Sequence, residues 1–117
     1  MIAVDVNGEA ASRTAQAIGR GAVGLACDVT DRAQCDGLAA RVGREIGAIG
    51  VLVNNAGIIR RGEVTDPNAC HDWDATLAVN LDGPYNMVTA FLDQLRATVD
   101  AHPGARWLPA AELLSPQ

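Results

Sequence analysis

The chain has 117 residues, a net charge of -5 and a composition that is 49% hydrophobic. That is enough apolar material for one domain with a buried core, and it excludes a disordered tail. The charges form no acidic or basic block, which argues against nucleic acid or an anionic membrane surface as partner and for a small molecule. All nine basic residues are arginines, so the chain has no lysine. Cys27, Cys35 and Cys70 are odd in number and fall in segments that read as strand, helix and helix. They are expected to act as small buried or half-buried hydrophobes, with no disulfide framework and no metal. No apolar run reaches the length of a membrane span, and the N-terminus lacks a basic region before a long apolar stretch. A cytoplasmic location is expected by default.

Met1 to Val6 is a short apolar run closing in Asp5-Val6-Asn7-Gly8, a strand that leads into turn residues. From Glu9 to Ile18, Ala11, Thr14, Ala15 and Ile18 recur at helical spacing, and Gly19 and Gly21 end the pattern. Ala22 to Cys27 is a second continuous apolar run, closed by Asp28-Val29-Thr30-Asp31 with a helix N-cap candidate. The next helix carries Cys35, Leu38, Ala39, Val42 and Ile46 on one face and stops at Gly47 and Gly50. Val51-Leu52-Val53 reads as a third strand running into Asn54-Asn55-Ala56-Gly57. A polar loop follows to Asp66-Pro67, where Asp is expected to cap and Pro to take the first helical turn. From Cys70 to Arg96 the pattern is helical twice, with Leu77, Leu81, Tyr85, Val88, Leu92 and Leu95 expected on the inward stripe, interrupted at Asn80, Gly83 and Pro84. Alternation of strands and helices predicts a parallel sheet covered by helices on both faces. Neither an internal repeat nor a linker divides the chain.

In doubly wound sheets ligands sit outside the carboxyl ends of the strands. Asp5 ends the first strand, where a carboxylate can accept from both hydroxyls of an adenosine ribose; the plainer reading is an Asp in a strand-to-helix turn. Asp28 follows the second, where it can accept from an adenine amino group; it is equally a helix cap, a part Asp31 can also play. Asn54 and Asn55 supply donors and acceptors that can pin neighbouring loops, and Ala56 and Gly57 leave room for a ligand against the backbone. Asn80 is a poor helix former inside a helical pattern and predicts a kink. His71 and His102 read as solvated surface histidines. Arg60 and Arg61 read as a solvated charged loop, with contact to an anionic substrate such as a sugar acid as the alternative.

Val4-Asp5, Cys27-Asp28-Val29, Leu52-Val53-Asn54-Asn55-Ala56-Gly57 and Val79-Asn80-Leu81-Asp82-Gly83, in that order, resemble successive motifs of the short-chain dehydrogenase/reductase family. The resemblance covers Met1 to about Arg96. It implies an α/β fold, a partial Rossmann-like doubly wound parallel sheet of three strands alternating with helices. Residues 1–98 would form this nucleotide-binding domain and 99–117 a tail without family resemblance. It implies hydride transfer between a nicotinamide cofactor and an alcohol or ketone. Asp5 would bind the adenosine ribose, Asp28 and Val29 the adenine. Asn54, Ala56 and Gly57 would stabilise the sheet centre and line the cofactor. Asn80 would be the catalytic Asn, holding a water that links the active-site lysine to solvent, while Trp73 resembles a packing residue. NAD is expected over NADP, because Asp5 would face a 2′-phosphate and the next basic residue is Arg13.

The departures from the family pattern point to an incomplete, inactive chain. The family's Gly-rich phosphate loop, its catalytic Ser and its Tyr-x-x-x-Lys have no counterpart; Tyr85 is the single tyrosine, and Thr89 stands where the lysine would have to be. In the usual strand order 3-2-1-4-5, a further strand belongs between those ending at Asp5 and at Asn54. Edges left open in this way favour association, a homo-oligomer included. Two other readings are a non-catalytic nucleotide-binding or interaction module and, last, a methyltransferase, whose chemistry asks for neither Asn-Asn-Ala-Gly nor Asn80.

Overall fold

The computed structural model describes residues 1–102. It opens with a strand-helix-strand unit: β1 (Ile2–Asp5), α1 (Gly8–Ile18) and β2 (Val23–Ala26). The strands are parallel, with Ile2 opposite Val23 and Asp5 opposite Ala26. Asn7 starts α1 by accepting from the Glu9 and Ala10 amides at 3.0 and 3.2 Å, which satisfies two of the donors a helix leaves unpaired at its start. Gly19 and Gly21 end it in the left-handed region, at φ 66° and 74°. Of the expected α1 stripe, Ala11 and Ala15 are buried while Thr14 and Ile18 face solvent. The helix lies so close to β2 that a Cβ on Gly24 would sit 2.5 Å from the Ala11 backbone. Glycine at that position is what permits the approach.

α2 (Arg32–Glu45) buries Cys35, Leu38, Ala39 and Val42 as its periodicity predicts, although Ile46 lies beyond its end and is half exposed. These residues meet Leu25 and Cys27 from the sheet side and Met87 and Phe91 from the last helix in one apolar cluster. Phe91 is 3% exposed, and truncating a buried Phe to Ala costs about 3–5 kcal/mol. Cys27 and Cys35 therefore serve the core, whereas Cys70 is exposed, against expectation.

Val51-Leu52-Val53 does not form the expected third strand. The sheet among the described residues has two strands, and Val51 and Val53 are 78% and 76% exposed. A strand needs a neighbour for its N–H and C=O groups. Here a groove of about 1330 Å³ separates this run from β1, the place that the usual strand order gives to a further strand. What holds the segment is the last helix: Gln94 accepts from the Ile49 amide at 3.2 Å and donates to Ala39 O at 2.7 Å, and Thr98 donates to Ile49 O at 2.9 Å.

The remaining chain is α3 (Ala69–Leu77), a five-residue π-turn (Ala78–Asp82) and α4 (Gly83–Ala101). Asp66 does not cap α3; its carboxylate accepts from the Glu63 amide at 2.8 Å and closes the turn before the helix. The π-turn is the predicted kink at Asn80. It also overturns the first four positions of the expected inward stripe, while Leu92 is half-buried and Leu95 packs against the core cluster as expected. Leu77, Leu81, Tyr85 and Val88 are exposed, as is Trp73, and α4 instead buries Gly83, Asn86, Met87 and Phe91. An i→i+5 turn holds one residue more than an α-turn, so it rotates everything after it about the helix axis. Residues 103–117, most of the expected tail, lie outside the described residues.

Candidate functional site

The ladder continues one step past the strands, with the Cys27 amide donating to Asp5 O at 3.0 Å. Asp5 and Asp28 consequently leave the sheet side by side at its carboxyl end. One oxygen of Asp5 accepts from the Asn7 amide at 2.8 Å, fixing the carboxylate at the mouth of the groove. Asp28 is held harder: its Oδ1 accepts from the Thr30 amide at 2.9 Å and the Thr30 hydroxyl at 2.7 Å. Asp31, and not Asp28, caps α2, accepting from the Gln34 amide at 3.1 Å. Its bonds with Gln34 hold its carboxyl below the usual carboxylate range.

Of the five successive backbone donors in this turn, Cys27 to Asp31, four are paired and one is not. The Cys27 amide goes to Asp5 O, Asp28 to Gln34 Oε1, Thr30 to Asp28 Oδ1 and Asp31 to Asp28 O. Val29 N–H has no acceptor among the described residues. A free N–H beside a fixed carboxylate forms a donor-acceptor pair one residue apart, the complement of a group offering an acceptor next to a donor.

Asp5, Asp28, Val29, Asn54, Ala56 and Gly57 all line the one groove. Asn80 is exposed and is not among the residues that line it. Its Oδ1 accepts from the Ile58 amide at 2.8 Å and its Nδ2 donates to Ile58 O at 2.8 Å. Both ends of the carboxamide are thereby spent on the residue that follows Gly57, and a Cβ on Gly57 would lie 3.5 Å from Asn80 Oδ1. Loop pinning was expected of Asn54 and Asn55, but among the described residues their side chains make no hydrogen bond, and both are exposed. Asn80 does the pinning from the other side. Asn86, which sequence reasoning passed over, is 6% exposed and donates to Val29 O at 3.0 Å. A polar residue between Tyr85 and Met87 was the signal for it.

The family model for short chain dehydrogenases matches residues 1–105. The chain belongs to that family. Among the curated relatives of this short-chain dehydrogenase chain, a D-threitol dehydrogenase of Mycolicibacterium smegmatis is 44% identical over 91 residues, covering 75% of this chain and 35% of the relative. A 2,3-dihydro-2,3-dihydroxybenzoate dehydrogenase of Bacillus subtilis is 38% identical over 87 residues, 72% of this chain and 33% of the relative. The chain thus spans about a third of the length of these relatives. Among solved structures, a gluconate 5-dehydrogenase from Burkholderia cenocepacia in complex with NADP and tartrate superposes with a TM-score of 0.71 at 35% identity, over 82% of this chain and 38% of that one. A 3-ketoacyl-(acyl-carrier-protein) reductase from Brucella melitensis complexed with NADH gives 0.70 at 28%, over 84% and 40%.

The donor set fits the adenosine half of a nicotinamide dinucleotide, with carboxylates for ribose and amino group and a free amide for a ring nitrogen. Among the described residues it includes no backbone cradle for the pyrophosphate. Gly19-Arg20-Gly21-Ala22-Val23-Gly24 has the glycine spacing of a dinucleotide fingerprint, but it follows α1 and enters β2. A phosphate cradle needs the reverse order, strand before and helix after. Arg60 also lines the groove and pairs with Asp72 at 3.2 Å. His71 and His102 are exposed, as expected. No helix among the described residues is long and apolar enough to cross a membrane.

Proposed function

We propose that this chain carries the adenosine-binding side of an NAD-dependent short-chain dehydrogenase that interconverts an alcohol and a ketone. Asp5 takes the ribose hydroxyls, Asp28 and the Val29 amide take the adenine edge, and Asn54, Ala56 and Gly57 run along the rest of the cofactor. Asn80 is the catalytic Asn, and its side chain holds the backbone after Gly57 in place through Ile58. The observation that carries the reading is the unpaired Val29 N–H beside the Asp28 carboxylate in a turn whose other amides are all satisfied. When bound, the dinucleotide takes up or delivers a hydride at its nicotinamide ring. The relatives' names support a polyhydroxylated substrate, threitol in one and gluconate in another.

NAD is favoured over NADP by charge. A 2′-phosphate would approach the Asp5 carboxylate, and positions 6–8 are Val, Asn and Gly. Arg13, the next basic residue, lies 3.9 Å from Glu9 on the exposed face of α1. The Burkholderia structure holds NADP, so the preference rests on residues of this chain alone. Adenosine 5′-monophosphate and adenosine 2′,5′-bisphosphate, titrated into the 15N-labelled chain, test both points. The expected result is shifts at Asp5, Asp28 and Val29 with the first compound and weak or no shifts with the second. Equal response to both removes the NAD assignment, and no response at these three residues removes the adenosine site.

A further inference from the structure

We infer that Asn86 is a positioning residue for adenine recognition, an assignment that rests on the adenosine site proposed above. Asn86 is the one buried polar residue among the described residues, 6% exposed inside an otherwise apolar face of α4. Burying a carboxamide is costly unless its donors and acceptor are used. Here Nδ2 donates to Val29 O at 3.0 Å, and Oδ1 accepts from Arg32 Nε at a longer 3.4 Å. The shorter bond therefore goes to the residue whose own N–H is left free. The same turn of α4 holds the Val29 side chain, since a Cβ on Gly83 would come within 2.7 Å of Val29 Cγ2. Cys35 Sγ adds a weak contact to the same carbonyl at 3.6 Å. With its carbonyl and side chain both fixed, Val29 retains one way to point its amide. On the other side of the residue, Thr30 fixes one oxygen of Asp28. Asn86 thus sets the angle between the free amide and the free carboxylate oxygen, which is what reads an adenine edge.

An ordinary packing role for Asn86 predicts that its loss weakens all nucleotides alike. A positioning role predicts a loss confined to the base. The probes are adenosine 5′-monophosphate and inosine 5′-monophosphate, identical in ribose and phosphate. At the six-position inosine presents an oxygen to Asp28, and its N1 carries a proton facing the Val29 amide. In Asn86→Ala and Asn86→Asp, which both lose the donor to Val29 O, affinity for the adenosine compound is expected to fall about tenfold, the worth of one well-placed hydrogen bond. Affinity for the inosine compound is expected to change less than about twofold. Asn86→Asp retains an acceptor for Arg32, so a loss it shares with Asn86→Ala comes from the Val29 side. Arg32→Ala, which removes the other partner of Asn86, is expected to leave the discrimination intact. Equal loss for both compounds in the Asn86 variants, or loss of discrimination in Arg32→Ala, overturns the assignment and leaves the adenosine site standing. Failure of the unaltered chain to bind the adenosine compound overturns both.

Discussion

Asn80 and Ile58, 22 positions apart in the chain, share two hydrogen bonds of 2.8 Å that satisfy both polar ends of one side chain and both backbone groups of one residue. The pair ties the π-turn to the backbone just after Gly57. Asn80→Ala is expected to cost about 1–3 kcal/mol, since each of the two bonds is worth about 0.5–1.5 kcal/mol net. The local signature is faster exchange of the Ile58 amide, measurable by hydrogen exchange. Unchanged protection at Ile58 would contradict the coupling.

Turnover by this chain alone is expected to be nil. General acid-base work on an alcohol requires a tuned proton-transfer group at the reacting carbon, and the chain has no lysine to tune its one tyrosine. Tyr85 has the Arg32 guanidinium over its ring at 5.5 Å and lies on the outer face of α4. Cofactor-dependent oxidation of a polyol above a blank, abolished by Asn80→Ala, would show otherwise.

The Asp31 cap gives α2 a pH dependence. Hydrogen bonds from the Gln34 amide and side chain lower the Asp31 carboxyl in the folded chain. A lowered folded value means the stabilisation is fully present above the unfolded carboxylate range, near pH 4, and is lost as pH falls through the folded value. Asp31→Asn is expected to lessen the difference in melting temperature between pH 6 and pH 3. An unaltered difference would remove Asp31 from the account.

Thiol reactivity should split the cysteines. Burial, with the neighbouring Cys35 thiol second, pushes Cys27 up to about 12, and burial raises Cys35 too. The thiolate is the reactive form. At pH 8, alkylation followed by mass spectrometry is expected to label Cys70 quickly, and Cys27 and Cys35 only on unfolding. Rapid labelling of Cys35 in the native chain would mean that the α2 core is open.

A two-stranded sheet has two open edges, and β1 turns one of them to the groove. Such edges recruit other chains, and two strands seldom hold by themselves. Sedimentation velocity is expected to show species larger than a monomer, with a broad thermal transition. A sharp cooperative melt of a monomer would refute this.

Much of the site was legible because its polar residues break apolar patterns. Asp5 and Asp28 close hydrophobic runs, and Asn80 interrupts a helix, so their places at strand ends and at a kink followed from sequence. The α2 stripe was readable for the same local reason. Val51 to Val53 was not, because a strand is made by its neighbour and pairing is not a local property. The partners of Asn54 and Asn55 were misjudged in the same way: the groups that pin the loop after Gly57 come from Asn80. Asn86 has no local marker beyond being a poor helix former, and its meaning depends on a carbonyl 57 positions away.

The π-turn also makes the chain sensitive to length at one place. Each residue advances a helix by about 100°, so deleting one residue between Ala78 and Asp82 would swing Met87 and Phe91 out of the core and bring Val88 or Leu92 toward it. Asn86 would leave Val29 in the same movement. A substitution in this segment is felt where it occurs, but an insertion or deletion would be felt along the whole of α4. Asn80 apart, variation in residue identity should therefore be tolerated here far better than variation in residue number.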